Sequence, residues 1–248
     1  MKLTTHLHFR DWIPESVYSW LELIKMFFDR WFSHPYESNV CAMIFRIVKP
    51  GWICVDVGAN VGLITRILAK QVGSRGKVFA FEAFYKNAKM LNRMAKLCGY
   101  GSRIQVENIA VSDGSQSEVC LFPGRKSSNA EWNIIGHDLE GNRKDAVYRV
   151  PATSLDNYFS PGFVLNFVKI DIEGAEAVAL RGMRRILRES RPFVLVEFHD
   201  EAGWSGREEL FAASYALYDM KGKRLDASRD VQRVYHCLAC PMEKNFCK

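Results

Sequence analysis

The segment Val55-Asp56-Val57-Gly58-Ala59-Asn60-Val61-Gly62 follows a short apolar run and opens a helical pattern. It constrains the fold more than any other stretch, because it reads as the turn after the first strand of a nucleotide-type α/β fold. Gly58 and Gly62 permit a tight strand-to-helix turn and let the backbone approach a ligand, while the helix beyond offers free N–H groups. The next apolar run, Lys77-Val78-Phe79-Ala80-Phe81, closes with Glu82 and Ala83. Glu82 lies about 20 residues past Gly62, where a ribose-binding carboxylate belongs.

Loop chemistry separates the ligands that such a turn could hold. A dinucleotide fingerprint is G-x-G-x-x-G, because a pyrophosphate must lie against the turn. Here the pattern is D-x-G-x-x-x-G, and the Asp56 carboxylate at its mouth repels a pyrophosphate. A ligand with positive charge, such as the sulfonium and amino groups of S-adenosylmethionine, suits that carboxylate. A turn that binds nothing is the plain alternative, and Glu82 at the right spacing argues against it.

The 248 residues, 48% hydrophobic and 25% charged, describe an ordinary globular domain with a small extension. A net charge of +6 is too slight for a dedicated nucleic-acid binder. No basic, apolar and small-residue leader opens the sequence, and no transmembrane run occurs, so a cytoplasmic protein is expected. Seven scattered cysteines suit reduced thiols; Cys237-Leu238-Ala239-Cys240 lacks the second pair of a zinc site.

Residues 12–31 carry apolar side chains at helical period, with Pro14 in the first turn. This predicts an N-terminal helical extension over residues 1–40, packing on the domain or on a second copy as a possible homodimer contact; a membrane-surface helix is the lesser reading. The catalytic domain is expected over residues 41–248. After a helix at 39–48, strands at 53–57, 78–82 and 104–109 alternate with helices at 62–72 and 86–97. That order predicts a parallel sheet with right-handed crossovers and a ligand at the carboxyl ends of its strands. Residues 113–161 break the rhythm and read as an insertion, a hairpin with a long loop. Its Ser127, Ser128, Asn129, Trp132, Asn133 and His137 suit a hydroxylated substrate, or a merely solvated loop. A strand at 163–172, a helix at 175–187, a strand at 193–199, a helix at 207–215 and strands at 216–220 and 234–239 bring the count to seven strands.

A second dense motif is Lys169-Ile170-Asp171-Ile172-Glu173-Gly174-Ala175-Glu176. It sets two carboxylates between a strand and a helix; Asp171 and Glu173 share a side if the strand persists that far. Glu197 and His199 close the neighbouring strand, likewise two apart. Ionisable groups directly after apolar strands must be paired or used. Arg181, Arg184, Arg185, Arg188 and Arg191 form a basic stripe, read as a solvated face at a helix C-terminus rather than a nucleic-acid surface.

Asp56 through Gly62, Phe81-Glu82, Asn108 through Asp113, Thr153-Ser154-Leu155-Asp156, Lys169 through Glu176 and Val196 through His199 together resemble the FkbM family of S-adenosylmethionine-dependent methyltransferases, from about residue 36 to 199. The resemblance implies a class I (Rossmann-like) methyltransferase fold: seven strands, mostly parallel, with helices on both faces. It implies transfer of a methyl group from S-adenosylmethionine to a hydroxyl of a saccharide or natural-product small molecule. By that resemblance Asp56, Gly58, Ala59, Asn60 and Gly62 surround the methionine part of the cofactor. Glu82 with Ala83 takes the ribose, Asn108 and Ala110 lie beside the adenine, and Asp171 faces the methyl. Asp171, Glu173 and His199 are the catalytic candidates, with His199 or one of the carboxylates as general base. No metal is assigned, although Asp171, Glu197 and His199 are conceivable ligands. Methylation of a protein or nucleic-acid group is the rival activity, and a non-catalytic cofactor-binding module is the rival class. The first wants an acceptor motif for base nitrogens that Asp171-Ile172-Glu173-Gly174 is not; the second would not keep the Asp171 group.

Overall fold

The computed structural model describes residues 35–123, 132–134, 148–226 and 236–244. The predicted helix at 12–31, with the dimer contact read from it, and Ser127, Ser128, Asn129 and His137 lie outside them. The chain divides into two units, Met1–Val40 and Cys41–Lys248, and the fold below is that of the second.

In chain order the elements are α1 (Pro35–Ile47), β1 (Ile53–Val57), α2 (Leu63–Val72), β2 (Lys77–Phe81), α3 (Tyr85–Leu97), β3 (Ile104–Glu107), β4 (Ala110–Val111), β5 (Glu118–Pro123), β6 (Trp132–Ile134), β7 (Tyr148–Thr153), α4 (Leu155–Tyr158) and β8 (Phe167–Ile170). There follow α5 (Glu176–Arg181), α6 (Arg184–Glu189), β9 (Phe193–Glu197), α7 (Glu201–Trp204), α8 (Arg207–Ala212), β10 (Tyr215–Tyr218) and β11 (His236–Pro241). Seven strands form one sheet in the order β10-β11-β9-β8-β1-β2-β3. Pairing from β9 through β8, β1 and β2 to β3 is parallel, and β11 runs antiparallel between β9 and β10. β8 is buried at every position, as expected of a parallel strand covered on both faces. Val55, Val168, Ile170, Val194 and Val196 are fully buried, each such side chain contributing about 1.5–3 kcal/mol. Among the described residues no helix is long and apolar enough to cross a membrane.

Three elements depart from their predicted form, for local reasons. The strand expected at 163–172 shrinks to Phe167–Ile170. Phe163 stacks on Phe159 instead of joining the ladder, and Asn166 takes the Ile53 N–H on its side-chain oxygen at 2.8 Å. The helix expected at 175–187 breaks into α5 and α6 at Gly182, where a Cβ would overlap the carbonyl oxygen of Ser112. Asp156 then caps the restarted helix, its carboxylate accepting from the N–H groups of Arg185 and Ile186 at 2.8 and 3.0 Å. The insertion is more than a hairpin. β5 pairs antiparallel with β7 and with β6, and β7 pairs parallel with β4, giving a second, four-stranded sheet β4-β7-β5-β6. Leu121 and Val150 of that sheet pack with Ala83, Phe84 and Ala110, which sets the insertion beside the carboxyl end of β2.

Candidate active site

Two groups of residues occupy the carboxyl edge of the main sheet. Over β1 and β2, the N–H groups of Gly58 and Ala59 both donate to the Phe81 carbonyl at 3.0 Å. Gly58 has φ +77, and a Cβ there would collide with the carbonyl of Asp171, so protein packing by itself requires glycine at this turn. Gly62 is constrained in the same way. Its Cβ would strike the side chains of Leu91 and Met94 of α3, so the close approach of α3 already excludes a side chain there. Asn60 sits at φ 50 and donates its N–H to Glu82 Oε2 at 2.7 Å. The other Glu82 oxygen accepts from Phe84 N–H at 2.8 Å. Burial nevertheless dominates and pushes the Glu82 pKa up to about 7. Asn108 donates its amide to the carbonyls of Glu82 and Ala83 at 2.8 and 2.9 Å, pinning the end of β2.

Between the two groups lies a buried ion pair that sequence reasoning left without a role. Asp56 and Lys169 are register partners on adjacent strands. Asp56, fully buried, accepts from Thr65 Oγ1 at 2.6 Å on one carboxylate oxygen; the other has no hydrogen-bond partner and faces Lys169 Nζ at 3.6 Å. Lys169 donates to Asp171 Oδ2 at 2.9 Å and to the Gly58 carbonyl at 3.4 Å. Burial works against its charge, but Asp171 and Asp56 outweigh it and hold the ammonium above the ordinary lysine range. A lysine inside an otherwise apolar strand was the available signal, since a buried charge requires partners.

Over β8 and β9 the catalytic candidates converge on one imidazole. His199 Nε2 lies 3.6 Å from Asp171 Oδ1, 3.6 Å from Glu173 Oε2 and 3.8 Å from Glu197 Oε1. Its Nδ1 meets Glu176 Oε1 at 2.8 Å. Asp171 and Glu173 reach the same side through a turn rather than through a continued strand, with Glu173 at φ 54 and Gly174 at φ 104. A non-glycine residue in that region is uncommon and typical of functional sites. Burial disfavours the imidazolium, but the bond to Glu176 and the charges of Glu176, Glu173 and Asp171 raise the His199 pKa to about 9. Burial also raises the Glu173 pKa, against the pull of His199. Glu197 accepts a second histidine, His236 Nε2, at 2.9 Å, its register partner on β11. Glu176, fully buried, had no role of its own in the sequence reading; its carboxylate also accepts the Gly174 N–H at 3.0 Å, closing the turn beneath the imidazole.

A family model, the methyltransferase FkbM domain, matches residues 56–222. The chain belongs to the FkbM methyltransferase family. S-adenosylmethionine is the methyl donor of that family. No curated protein matches the sequence. Among solved structures, the FkbM methyltransferase of Methylobacillus flagellatus is similar at 18% identity and TM-score 0.50, over 80% of this chain and 50% of that one. The present chain thus spans half the length of that relative. A S-adenosylmethionine-dependent O-methyltransferase of Thermotoga maritima is similar at 14% identity and TM-score 0.50, over 86% of this chain and 67% of that one. At such identities the likeness speaks for the class I methyltransferase fold, whose strand order the main sheet has.

In this member of the FkbM family several of the remaining motifs have structural partners. Ser154 caps α4, accepting from the Asn157 N–H at 3.1 Å, and Asp156 caps α6. Of the arginine stripe, Arg184 pairs with Glu209, Arg185 with Glu189 and Arg191 with Glu243. Cys237 is fully buried in β11, and burial raises its pKa to about 12, so it is not a reactive thiol.

Proposed function

We propose that this chain is a S-adenosylmethionine-dependent O-methyltransferase acting on a hydroxyl of a saccharide or natural-product small molecule. The observation that carries the reading is the division of one sheet edge into two chemistries. A desolvated carboxylate stands over β2, and an acid-and-imidazole cluster stands over β8 and β9, with Asp56 and Lys169 between them.

The residues present fit the cofactor. Asp56 has a buried oxygen without a hydrogen-bond partner, suited to an ammonium-bearing group, and Glu82 retains lone pairs for ribose hydroxyls. Gly58, Ala59, Asn60 and Gly62 would frame the methionine part, with Ala83, Asn108 and Ala110 on the adenine side. S-adenosylmethionine, when bound, supplies a methyl group already activated by a sulfonium. The protein's task is then to hold a hydroxyl in line, exclude water and accept a proton, and positioning carries much of the barrier reduction. Asp171, held by Lys169, orients the acceptor. His199, kept protonated by Glu176, balances the surrounding carboxylates, so the proton goes to Glu173, which burial makes a stronger base.

Calorimetric titration of the full chain with S-adenosylmethionine, S-adenosylhomocysteine and NAD tests the cofactor; binding of NAD alone overturns it. Labelled-methyl transfer screened over glycans and secondary metabolites tests the acceptor. Labelling confined to protein or nucleic acid replaces the hydroxyl reading with its rival.

A further inference from the structure

The cations of this chain are unevenly placed, although its net charge of +6 is modest. Residues 38–106 hold eleven lysines and arginines but two acids, Asp56 and Glu82, and both acids are buried. The rest of the chain has a small excess of acids. All the charge that α2, α3 and the turns into β1, β2 and β3 present to solvent is therefore positive.

The fold gathers six of these cations at one corner, the amino ends of β1, β2 and β3, away from the acid-rich carboxyl edge. The Gly51 N–H donates to the Val72 carbonyl at 2.7 Å and the Lys77 N–H to the Trp52 carbonyl at 3.1 Å, joining the end of α2 to the starts of β1 and β2. The Val78 N–H donates to the Arg103 carbonyl at 2.9 Å, which adds the entry to β3. Lys49, Lys70, Arg75 and Lys96 are exposed there, and Lys77 and Arg103 are half-buried. The partners seen for the last two are neutral: Lys77 Nζ donates to the Ser102 carbonyl at 3.2 Å, and Arg103 donates to the Ala69 carbonyl at 2.9 Å. Lys70 and Lys96 also complement the ends of α2 and α3, but Lys49, Arg75, Lys77 and Arg103 lie outside both helices. A surface of one sign repels itself unless a negative partner covers it.

Apolar neighbours point to the kind of partner. Leu97, next to Lys96 at the end of α3, is 64% exposed, and Phe45 on α1 is 52% exposed. Cations beside exposed apolar side chains suit a lipid headgroup layer, where the apolar groups sink and the charged heads stay level with the phosphates. Single-stranded nucleic acid wants open aromatic faces. In this corner the Arg103 guanidinium lies over the Tyr100 ring and Trp52 stacks on Phe193.

We propose that the corner formed by Lys49, Lys70, Arg75, Lys77, Lys96 and Arg103 docks on an anionic membrane leaflet, with Leu97 entering the headgroup layer. Docking there leaves the carboxyl edge facing water. The proposal goes beyond the methyltransferase reading and stands without it.

The test is co-sedimentation of the full chain with phosphatidylcholine vesicles carrying about one third phosphatidylserine, against phosphatidylcholine alone. Binding is expected to the anionic vesicles only, and to weaken at least about tenfold between about 0.1 and 0.5 M salt. Changing Lys49, Lys70, Arg75 and Lys96 together to glutamine should lower it about 100-fold, each cation contributing about fivefold. Leu97→Gln should lower it about threefold to tenfold. Removing the same charge elsewhere, by glutamine at Arg188, Lys221, Lys223 and Arg224, should change it less than about threefold, because the surface potential decays within a Debye length. An unchanged unfolding midpoint by circular dichroism shows that each variant has folded; if the corner variant has not, Lys70→Gln with Lys96→Gln carries the same comparison at a loss of about tenfold. Wild-type protein left in the supernatant at low salt overturns the proposal, as does equal loss of binding in the two fourfold variants or undiminished binding in the corner variant. A single-stranded RNA oligonucleotide bound more tightly than the vesicles, through the same four residues, overturns it in favour of a nucleic-acid surface.

Discussion

At the residue scale, the turn at Gly58 and the carboxylates beside it do different work. Glu82 combines two backbone hydrogen bonds with near-complete burial, and burial wins, lifting its pKa to about 7. A ribose hydroxyl donates to the carboxylate and not to the neutral acid, so ligand binding favours the deprotonated form. Affinity for S-adenosylhomocysteine should therefore rise between pH 6 and 8, by about tenfold at most, as the free protein's Glu82 loses its proton. Glu82→Gln should flatten that profile at low affinity, and calorimetry across the pH range would expose an unchanged slope. Asp171 is the sharper probe of chemistry. Its Oδ2 holds Lys169 and its Oδ1 faces His199, so Asp171→Ala should remove methyl transfer while S-adenosylhomocysteine affinity stays within about tenfold. Undiminished turnover in that variant would deny Asp171 its role.

At the scale of elements, the periodicity of the sequence carried the sheet but not its interruptions. β2 and β9 are short apolar runs closed by acids, β1 is one interrupted only by Asp56, and their positions were legible because burial on both faces leaves a near-continuous apolar signature. The acids after β8 and β9 were legible for the same reason, as charges where the pattern predicts none. What could not be read were contacts made by residues far apart in sequence. The break at Gly182 depends on Ser112 and Asp156, and the role of Glu176 depends on His199; neither has a local signature. Lys169 was visible in the strand but had no partner until β1 was laid beside β8. The Thr153–Asp156 motif, read as part of a family pattern, turns out to cap two helices. Asp156→Ala should thus cost about 1–2 kcal/mol of stability, by loss of the cap on α6. Urea unfolding would measure it; an unchanged midpoint would mean that the cap contributes nothing.

At the scale of the whole molecule, a net charge of +6 coexists with an acid-rich sheet edge, because most of the arginine stripe is spent on ion pairs elsewhere. The last strand joins that edge to the end of the chain. β11 runs antiparallel between β9 and β10, pairing His236 with Glu197 and Cys240 with Ala216, and Cys237, Leu238 and Ala239 are fully buried. Without β11, β9 would expose its ladder and β10 would lose its one strand neighbour among the described residues, while Glu197 would lose the His236 bond. An unpaired apolar edge of this kind invites association with other chains. A chain lacking residues 236–248 is therefore expected to be insoluble, or soluble only as aggregates, and to bind no S-adenosylhomocysteine, although the residues of the cofactor side are all retained. Light scattering and calorimetry on the truncated chain would check this. A monodisperse truncated protein that binds S-adenosylhomocysteine like the full chain would show that β1 to β9 fold without the antiparallel strand, and that Glu197 and His199 do not depend on it for their placement.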